Sequence, residues 1–333
     1  MKQTNVSIFI PHVGCPYRCS FCDQRSISGT VKPPRGDDVA RMLEEQAGHL
    51  SDIGMNAEIA FFGGSFTAVP RDYMTELLDA AKAAMEKYPV YNGIRCSTRP
   101  DCISEEILSL LKSYGVTAIE LGAQSMSDEV LSANDRGHTS DDVRRAAKLI
   151  KQSGIELGLQ MMTGLYRDSI ENVRHTAEEF VALAPKTVRV YPTVILKGTR
   201  LGNLYEKGEY TSFTFEQTVD ICAELLELFE RNNIAVIRMG LHASPDVERE
   251  MLGGVYHPAF REICESRLFL REMQRKFGAL PKGNYTVFTD RKNISRVIGQ
   301  HRWNIAALGE AGFKIKVREQ AGTHLAIVPE DRG

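Results

Sequence analysis

Long apolar runs are missing from this 333-residue chain. The opening stretch MKQTNVSIFIPHVG has too short an apolar core for a secretion signal, and no later run approaches the ~18 residues that span a bilayer. A soluble cytoplasmic protein with no membrane partner is expected. An excess of one charge is also missing. Lys and Arg number 41 against 43 Asp and Glu, so only a local patch could attract nucleic acid. The seven cysteines are an odd number, which argues against a disulfide framework. Internal repeats and low-complexity segments are absent, and there is one tryptophan. The length fits one large domain with an appendage, or two domains, and buries a sizeable core without covalent staples.

What is present alternates. Short apolar runs at Val6–Ile10, Ala57–Phe62, Gly93–Ser97, Ala118–Gly122, Glu156–Met162 and Thr187–Tyr191 predict strands. Amphipathic patterns between them predict helices from Asp37 or Asp38 to about Leu50, over Arg71–Lys87, after Ser104, over Asp141–Ser153 and over Ser169–Leu183. Six strand–helix units imply a parallel sheet with helices outside it. Periodicity does not decide between an open, a doubly wound and a partly closed sheet. A long helix at about Phe215–Asn232 and a strand at Ala235–Met239 follow. Pro245 to Pro258 reads as loop, Pro258–Phe277 as helix, and Tyr285–Val328 as strand, helix, turn, helix, strand, strand. Polar residues cluster where each of the first six strands ends, as on a shared active-site face.

The cysteines at 15, 19 and 22 lie in CPYRCSFC, spaced C-x3-C-x2-C. Iron–sulfur clusters are held by thiolates, and a 4Fe–4S cluster takes four ligands. Three close thiolates leave one iron open to a small chelating ligand. The competing readings are a zinc site, with His12 or a distant cysteine as fourth ligand, and three inert thiols. Structural zinc prefers paired knuckles, and no second C-x2-C exists.

This spacing, with Phe21 before the last cysteine, resembles the radical S-adenosylmethionine (SAM) superfamily. GGSFTAVP at 63–70 resembles that superfamily's glycine-glycine motif, and STRPD at 97–101, ELGAQS at 120–125, NDRGHT at 134–139 and YPTVILKGTRL at 191–201 resemble the radical SAM domain of the elongator catalytic subunit, which modifies wobble uridine in tRNA. The likeness covers roughly residues 5–240. It implies an α/β fold, a partial (β/α)6 barrel, with a 4Fe–4S cluster on Cys15, Cys19 and Cys22 whose open iron binds SAM. It also implies an enzyme that cleaves SAM reductively to a hydrogen-abstracting 5′-deoxyadenosyl radical, fed by a one-electron donor of the flavodoxin or ferredoxin type. By the same resemblance, the backbone around Phe21 meets adenine, and Gly63, Gly64 and Ser65 take the SAM amino group. Ser65 stands where the family often has Glu.

Other candidates have two readings each. Gly63 and Gly64 admit a ligand close to the backbone, or simply turn the chain. Gln124 bonds ribose or adenine, or caps a helix. The Arg136 guanidinium matches the SAM carboxylate, or forms a surface ion pair. His138 caps the next helix with Thr139. Arg99 faces substrate or SAM; Tyr191 lines the radical's path or packs in the core. Lys197 and Arg200 dock an anionic substrate or are merely solvated. His242 and VYHPAF at 255–260 lie near the barrel mouth without an assigned role.

The elongator family adds an acetyltransferase domain. About 90 residues follow Gly240 here, without a Q/R-x-x-G-x-G/A loop, so acetyl-CoA chemistry is not expected. The expected division is a radical SAM core over 1–240 and a small α/β domain over 241–333. In the latter, Gly299-Gln300-His301-Arg302 lies between two helices, like the GXXG loop with which KH domains clamp single strands, though Arg302 replaces the second glycine. Residues 282–318 carry eight basic and two acidic residues, a local +6. Arg296, Gly299, Arg302 and Trp303 are the candidate RNA contacts, with Trp303 stacking on a base; the alternative is a cap with a packed Trp and solvated charges. The favoured substrate is tRNA. The rivals are the same chemistry on a small metabolite or protein side chain under a C-terminal lid, and a non-catalytic RNA-binding iron–sulfur protein.

Overall fold

The computed structural model describes residues 3–10, 15, 18–23, 32–242 and 244–330. His12, the candidate zinc ligand, lies outside the described residues. One sheet is built from β1 (Gln3–Ile10), β2 (Asn56–Gly63), β3 (Tyr91–Thr98), β4 (Val116–Gln124), β5 (Glu156–Thr163), β6 (Thr187–Pro192) and β8 (Ala235–Met239). All its pairings are parallel, in the order β1-β2-β3-β4-β5-β6-β8. Right-handed crossovers in unbroken order keep every helix on one side, so the sheet curls into a half-barrel. The fold is thus α/β, with one strand more than six units supply. Among the described residues β1 and β8 do not pair, and the barrel stays open between them.

The strands form where apolar runs can bury against helices. Val6, Ile8 and Ile10 point into the core while Asn5 and Ser7 stay exposed. Helix starts follow their caps. Ser104, Thr139, Ser169 and Thr214 each accept a backbone N–H from three residues on, satisfying a donor the first turn leaves unpaired. Among the described residues, no helix is long and apolar enough to cross a membrane.

A second sheet holds β10 (Gly283–Thr289) between β11 (Phe313–Glu319) and β12 (Ala326–Pro329). β10 runs parallel to β11 and antiparallel to β12. The helices Ile294–Ile298 and Trp303–Glu310 make the crossover from β10 to β11. The helix Phe260–Phe277 serves both layers. Its Phe260, Ile263 and Cys264 join the barrel core, and its Phe269, Met273 and Phe277 join the core under the second sheet.

Pro245 to Pro258, read from sequence as loop, contains the helix Pro245–Glu250 and the strand β9 (Met251–Gly254). β9 pairs antiparallel with β7 (Val194–Leu196). Ser244 caps the helix by accepting the Val247 N–H at 3.3 Å, and Pro245 fits its first turn. Both elements are too short to show a period. The same applies to the helices Asp128–Ala133 and Arg200–Glu206.

Candidate functional site

The three cysteines lie beyond the carboxyl end of β1. The described part of their loop is tied to the barrel from two sides. Ser20 donates from Oγ to Asn134 Oδ1 (2.6 Å) and from its N–H to the Asn134 carbonyl (3.1 Å), and its own carbonyl accepts the Leu201 N–H (2.8 Å). Cys15 Sγ lies 3.7 Å from Ser65 Oγ, and the Cys22 N–H donates to the Cys19 carbonyl at 3.1 Å. Burial, with Cys19 and Cys15 alongside, pushes the Cys22 thiol up to about 12. Proximity of three thiols is what a shared metal cluster needs, since coordination exchanges such protons for metal.

Among the described residues, no three His, Cys, Asp or Glu side chains close on a single ion. The donor set nevertheless fits a cluster, which holds its thiolates farther apart than one ion does. A cation stands beside it. Arg136, 6 % exposed, donates from Nη1 to Cys19 Sγ at 3.0 Å and from Nη2 to the Gly122 carbonyl, while its buried Nε has no partner. An unpaired buried guanidinium N–H beside three thiols suits an anionic ligand. Arg136 is therefore not in a surface ion pair.

The strand ends supply the rest of the rim. Gly63 has φ +106°, and a Cβ there would stand 2.8 Å from the Ile10 carbonyl oxygen; Gly64 N–H donates to that same oxygen at 2.7 Å. Only glycine lets β1 and β2 close so tightly beside the cysteine loop. Ser65 is buried beside Cys15. Gln124 holds φ +68° and accepts Gln160 Nε2 on its Oε1 at 3.3 Å; it caps no helix, since Ser127 caps the one that follows. Phe21 packs with Tyr166, Leu204 and Tyr205 around buried Ile195, Leu201 and Tyr210.

The substrate candidates are spread more widely. Arg99 is buried. It makes two bonds to Asp101, at 2.9 and 3.0 Å, and one to the Arg136 carbonyl, so it braces Arg136 from behind. Tyr191 is half-buried in the lumen with its hydroxyl 3.5 Å from Arg189 Nη1. Lys197 is exposed beside the β7–β9 pair. Arg200 pairs with Asp135 and donates to the Ala133 carbonyl at 3.1 Å, which pins the segment after β4 to the segment after β7. In the second layer, Arg296 pairs with Glu265 at 2.7 Å. Gly299 has φ +78° with Asn304 2.9 Å from its would-be Cβ. Arg302 and His301 are both left-handed, and Trp303 is 53 % exposed. Trp303 is therefore not packed in a core.

Two features escaped the sequence. The first is an ionic layer across the lumen. Arg95 bonds Glu58 (2.8 Å) and Glu120 (2.9 Å), and Arg189 bonds Glu120 (2.9 Å). Arg189 Nε also sits against Glu120 Oε2, as an ion contact without hydrogen-bond angle. Glu120 holds the Arg189 guanidinium above its usual range, and the cation lies 5.0 Å from the centre of the Phe62 ring. The signal was available: one charge in the middle of each of four apolar strands.

The second is His138. It does not cap the next helix, which Thr139 caps alone. Its Nε2 bonds the Ala123 carbonyl at 3.2 Å, and its buried Nδ1 has no partner. Burial, with Arg136 and Arg99 nearby, pulls the imidazole down to about 4. The unfolded chain, with its ordinary histidine near ~6.5, takes up the proton first, so this group's contribution is complete above that pH and is lost as pH falls toward ~4. The full effect is about 3 kcal/mol. The drop in urea-unfolding stability between pH 7 and pH 4.5 should shrink in His138→Gln, which keeps the donor to Ala123. An equal drop in both proteins would contradict this.

Comparisons with known proteins agree with this geometry. The profile of the Radical SAM superfamily matches residues 9–180, and that of the Radical_SAM C-terminal domain matches 185–269. The chain is 31 % identical to human Elongator complex protein 3 over 244 residues, which is 67 % of this chain and 43 % of that one. It is 29 % identical to the tRNA uridine(34) acetyltransferase of Methanocaldococcus infernus over 196 residues, 53 % of this chain and 36 % of that one. It thus spans well under half the length of these two relatives. Among solved structures, the archaeal Methanocaldococcus infernus Elp3 with an N-terminal deletion superposes with a TM-score of 0.64 at 20 % identity, over 89 % of this chain and 67 % of the other, a likeness of fold. With its half-barrel and its cysteine loop, the chain belongs to the radical SAM superfamily of enzymes.

Proposed function

We propose that this enzyme holds a 4Fe–4S cluster on Cys15, Cys19 and Cys22, cleaves SAM reductively there, and modifies RNA of the tRNA class. The observation that carries the first part is the trio of neighbouring thiols with the unpaired Arg136 Nε beside it. When bound, the cluster and SAM supply electron transfer and the 5′-deoxyadenosyl radical, and the protein positions and shields them.

The chain's own residues divide the holding. Arg136 offers its free N–H to the SAM carboxylate, with Arg99 bracing it. The Gly63–Ser65 turn takes the amino group at its backbone. Gln124 and the backbone around Phe21 face the ribose and adenine. Tyr191 lies deeper in the lumen, where the substrate atom must arrive. A small one-electron donor of the flavodoxin or ferredoxin type is required. We place the division near residue 240, with 241–333 as the RNA-handling part and cytoplasmic RNA as its target; β9 and the first half of the helix Phe260–Phe277 tie the start of that part to the barrel.

Support for RNA comes from the tRNA-modifying relative named above and from the second layer itself. Its Gly299–Arg302 loop, exposed Trp303 and local basic excess suit a single strand. The test has two readouts. Anaerobically reconstituted protein with SAM and dithionite should release 5′-deoxyadenosine; a well-formed cluster without that product would refute the cleavage. Nucleosides from tRNA of cells with and without the gene should differ by one modification; identical nucleosides alongside a changed small metabolite would move the substrate to the smaller class.

A further inference from the structure

The sheet ends at β8, and a cleft of about 610 Å³ runs along its free edge. One wall is Ile237, Arg238 and Met239, and the opposite wall is the first turns of the helix Phe260–Phe277 with Lys292, Ser295 and Arg296. The cleft therefore separates the open side of the half-barrel from the Gly299–Arg302 loop. Its far wall leads directly into that loop, since Arg296 and Gly299 sit on and just past one short helix. Gln300 reaches across to His257 at 3.2 Å, one residue before the lining residue Pro258.

The charge in this cleft is not balanced. Arg261 and Arg296 both lean on one carboxylate, Glu265, at 2.9 and 2.7 Å. Arg238 and Lys292 have no ion-pair partner among the described residues. Of the acidic residues, only Glu262 and Glu265 line the cleft, so cations exceed carboxylates. Arg238 also has a second position. It is in register with Arg189 on β6, and partners in a parallel pair project to the same face. It therefore belongs to the lumen wall as well as to the cleft.

We propose that this cleft carries the phosphodiester backbone of single-stranded RNA from the Gly299–Arg302 loop to the open edge of the barrel. Arg238 and Lys292 are the phosphate contacts. This rests on the RNA reading above and extends it from the C-terminal loop to a path. The path explains how a base held at Trp303 and a base in the lumen belong to one strand. Phosphate contacts position a strand without reading its sequence, so the cleft supplies register while the lumen selects the base.

The test uses the full chain and a fluorescein-labelled single-stranded oligouridine, read by anisotropy across salt. Arg238→Glu with Lys292→Glu should weaken binding at least ~tenfold and lower the salt slope by about 1.4, at ~0.7 per phosphate for a single strand. Arg238→Gln with Lys292→Gln is the milder variant, and circular dichroism follows the fold of both. Lys148→Glu, on an exposed helix face away from the cleft, should change neither quantity. If the wild-type chain binds and both cleft variants bind equally well, the path is wrong and the RNA reading stands. Equal weakening by Lys148→Glu reduces the effect to general charge and also overturns the path. If the wild-type chain binds no RNA, both fall.

Discussion

Cys22→Ala should yield a folded protein that retains under a quarter of its iron and releases no measurable 5′-deoxyadenosine. The described part of the cysteine loop does not depend on the thiol for its course. Ser20 anchors it to Asn134 and Leu201 by three hydrogen bonds. What the thiol supplies is the third of three ligands, and a cluster that already has one open iron cannot lose another without falling apart. Iron analysis after anaerobic reconstitution and chromatography of the SAM products measure both quantities. Cys96→Ala is the matched control. Cys96 is fully buried among the barrel's outer packing, with its thiol pushed up to about 12 by desolvation, so its loss removes packing and no ligand. Full iron in Cys22→Ala would place the cluster elsewhere.

The second large effect is on stability. Glu120 takes hydrogen bonds from Arg95 and Arg189 inside the lumen, and its side chain is 4 % exposed. Glu120→Ala leaves two buried guanidinium groups with Glu58 alone to serve them, and Glu58 reaches only Arg95. Removing one partner from a buried ionic group costs about 3–5 kcal/mol, because the desolvated charge that remains is not compensated. Urea unfolding should show a loss of that order. Glu120→Gln, which keeps an acceptor but not the charge, should lie between. A loss below about 1 kcal/mol would mean that water already reaches the layer.

The fold was legible because its two periods are strong. The parallel strands are apolar runs that every packing arrangement would bury, and Ser104, Thr139, Ser169 and Thr214 mark the helix starts in plain polar type. What periodicity left open was curvature, since six units suit an open sheet as well as a curled one; the partial barrel came from the motif resemblance, and the unbroken strand order bears it out. Short elements failed for lack of length, as with Pro245–Glu250 and β9. Among the candidate site residues, Cys15, Cys19, Cys22, Gly63 and Arg136 could be singled out because spacing or residue type restricts them. Arg99 could not be placed, since a sequence shows that a cation is present but not that Asp101 and the Arg136 carbonyl hold it. The ionic layer was missed for the opposite reason. Each of its charges looks like a flaw in one strand, and the four make sense only once neighbouring strands are set side by side.

The helix Phe260–Phe277 gives the molecule a mechanical property. Its first half is built into the barrel core and its second half into the core of the smaller sheet. A rigid rod with both ends embedded transmits displacement: a load taken at the Gly299–Arg302 loop reaches β8 as a tilt of the rod and is not absorbed by a slack linker. Arg261, near the start of that rod, donates to the Val236 carbonyl on the edge strand. The edge strand of the barrel and the core beneath the basic loop are therefore joined through one continuous helix.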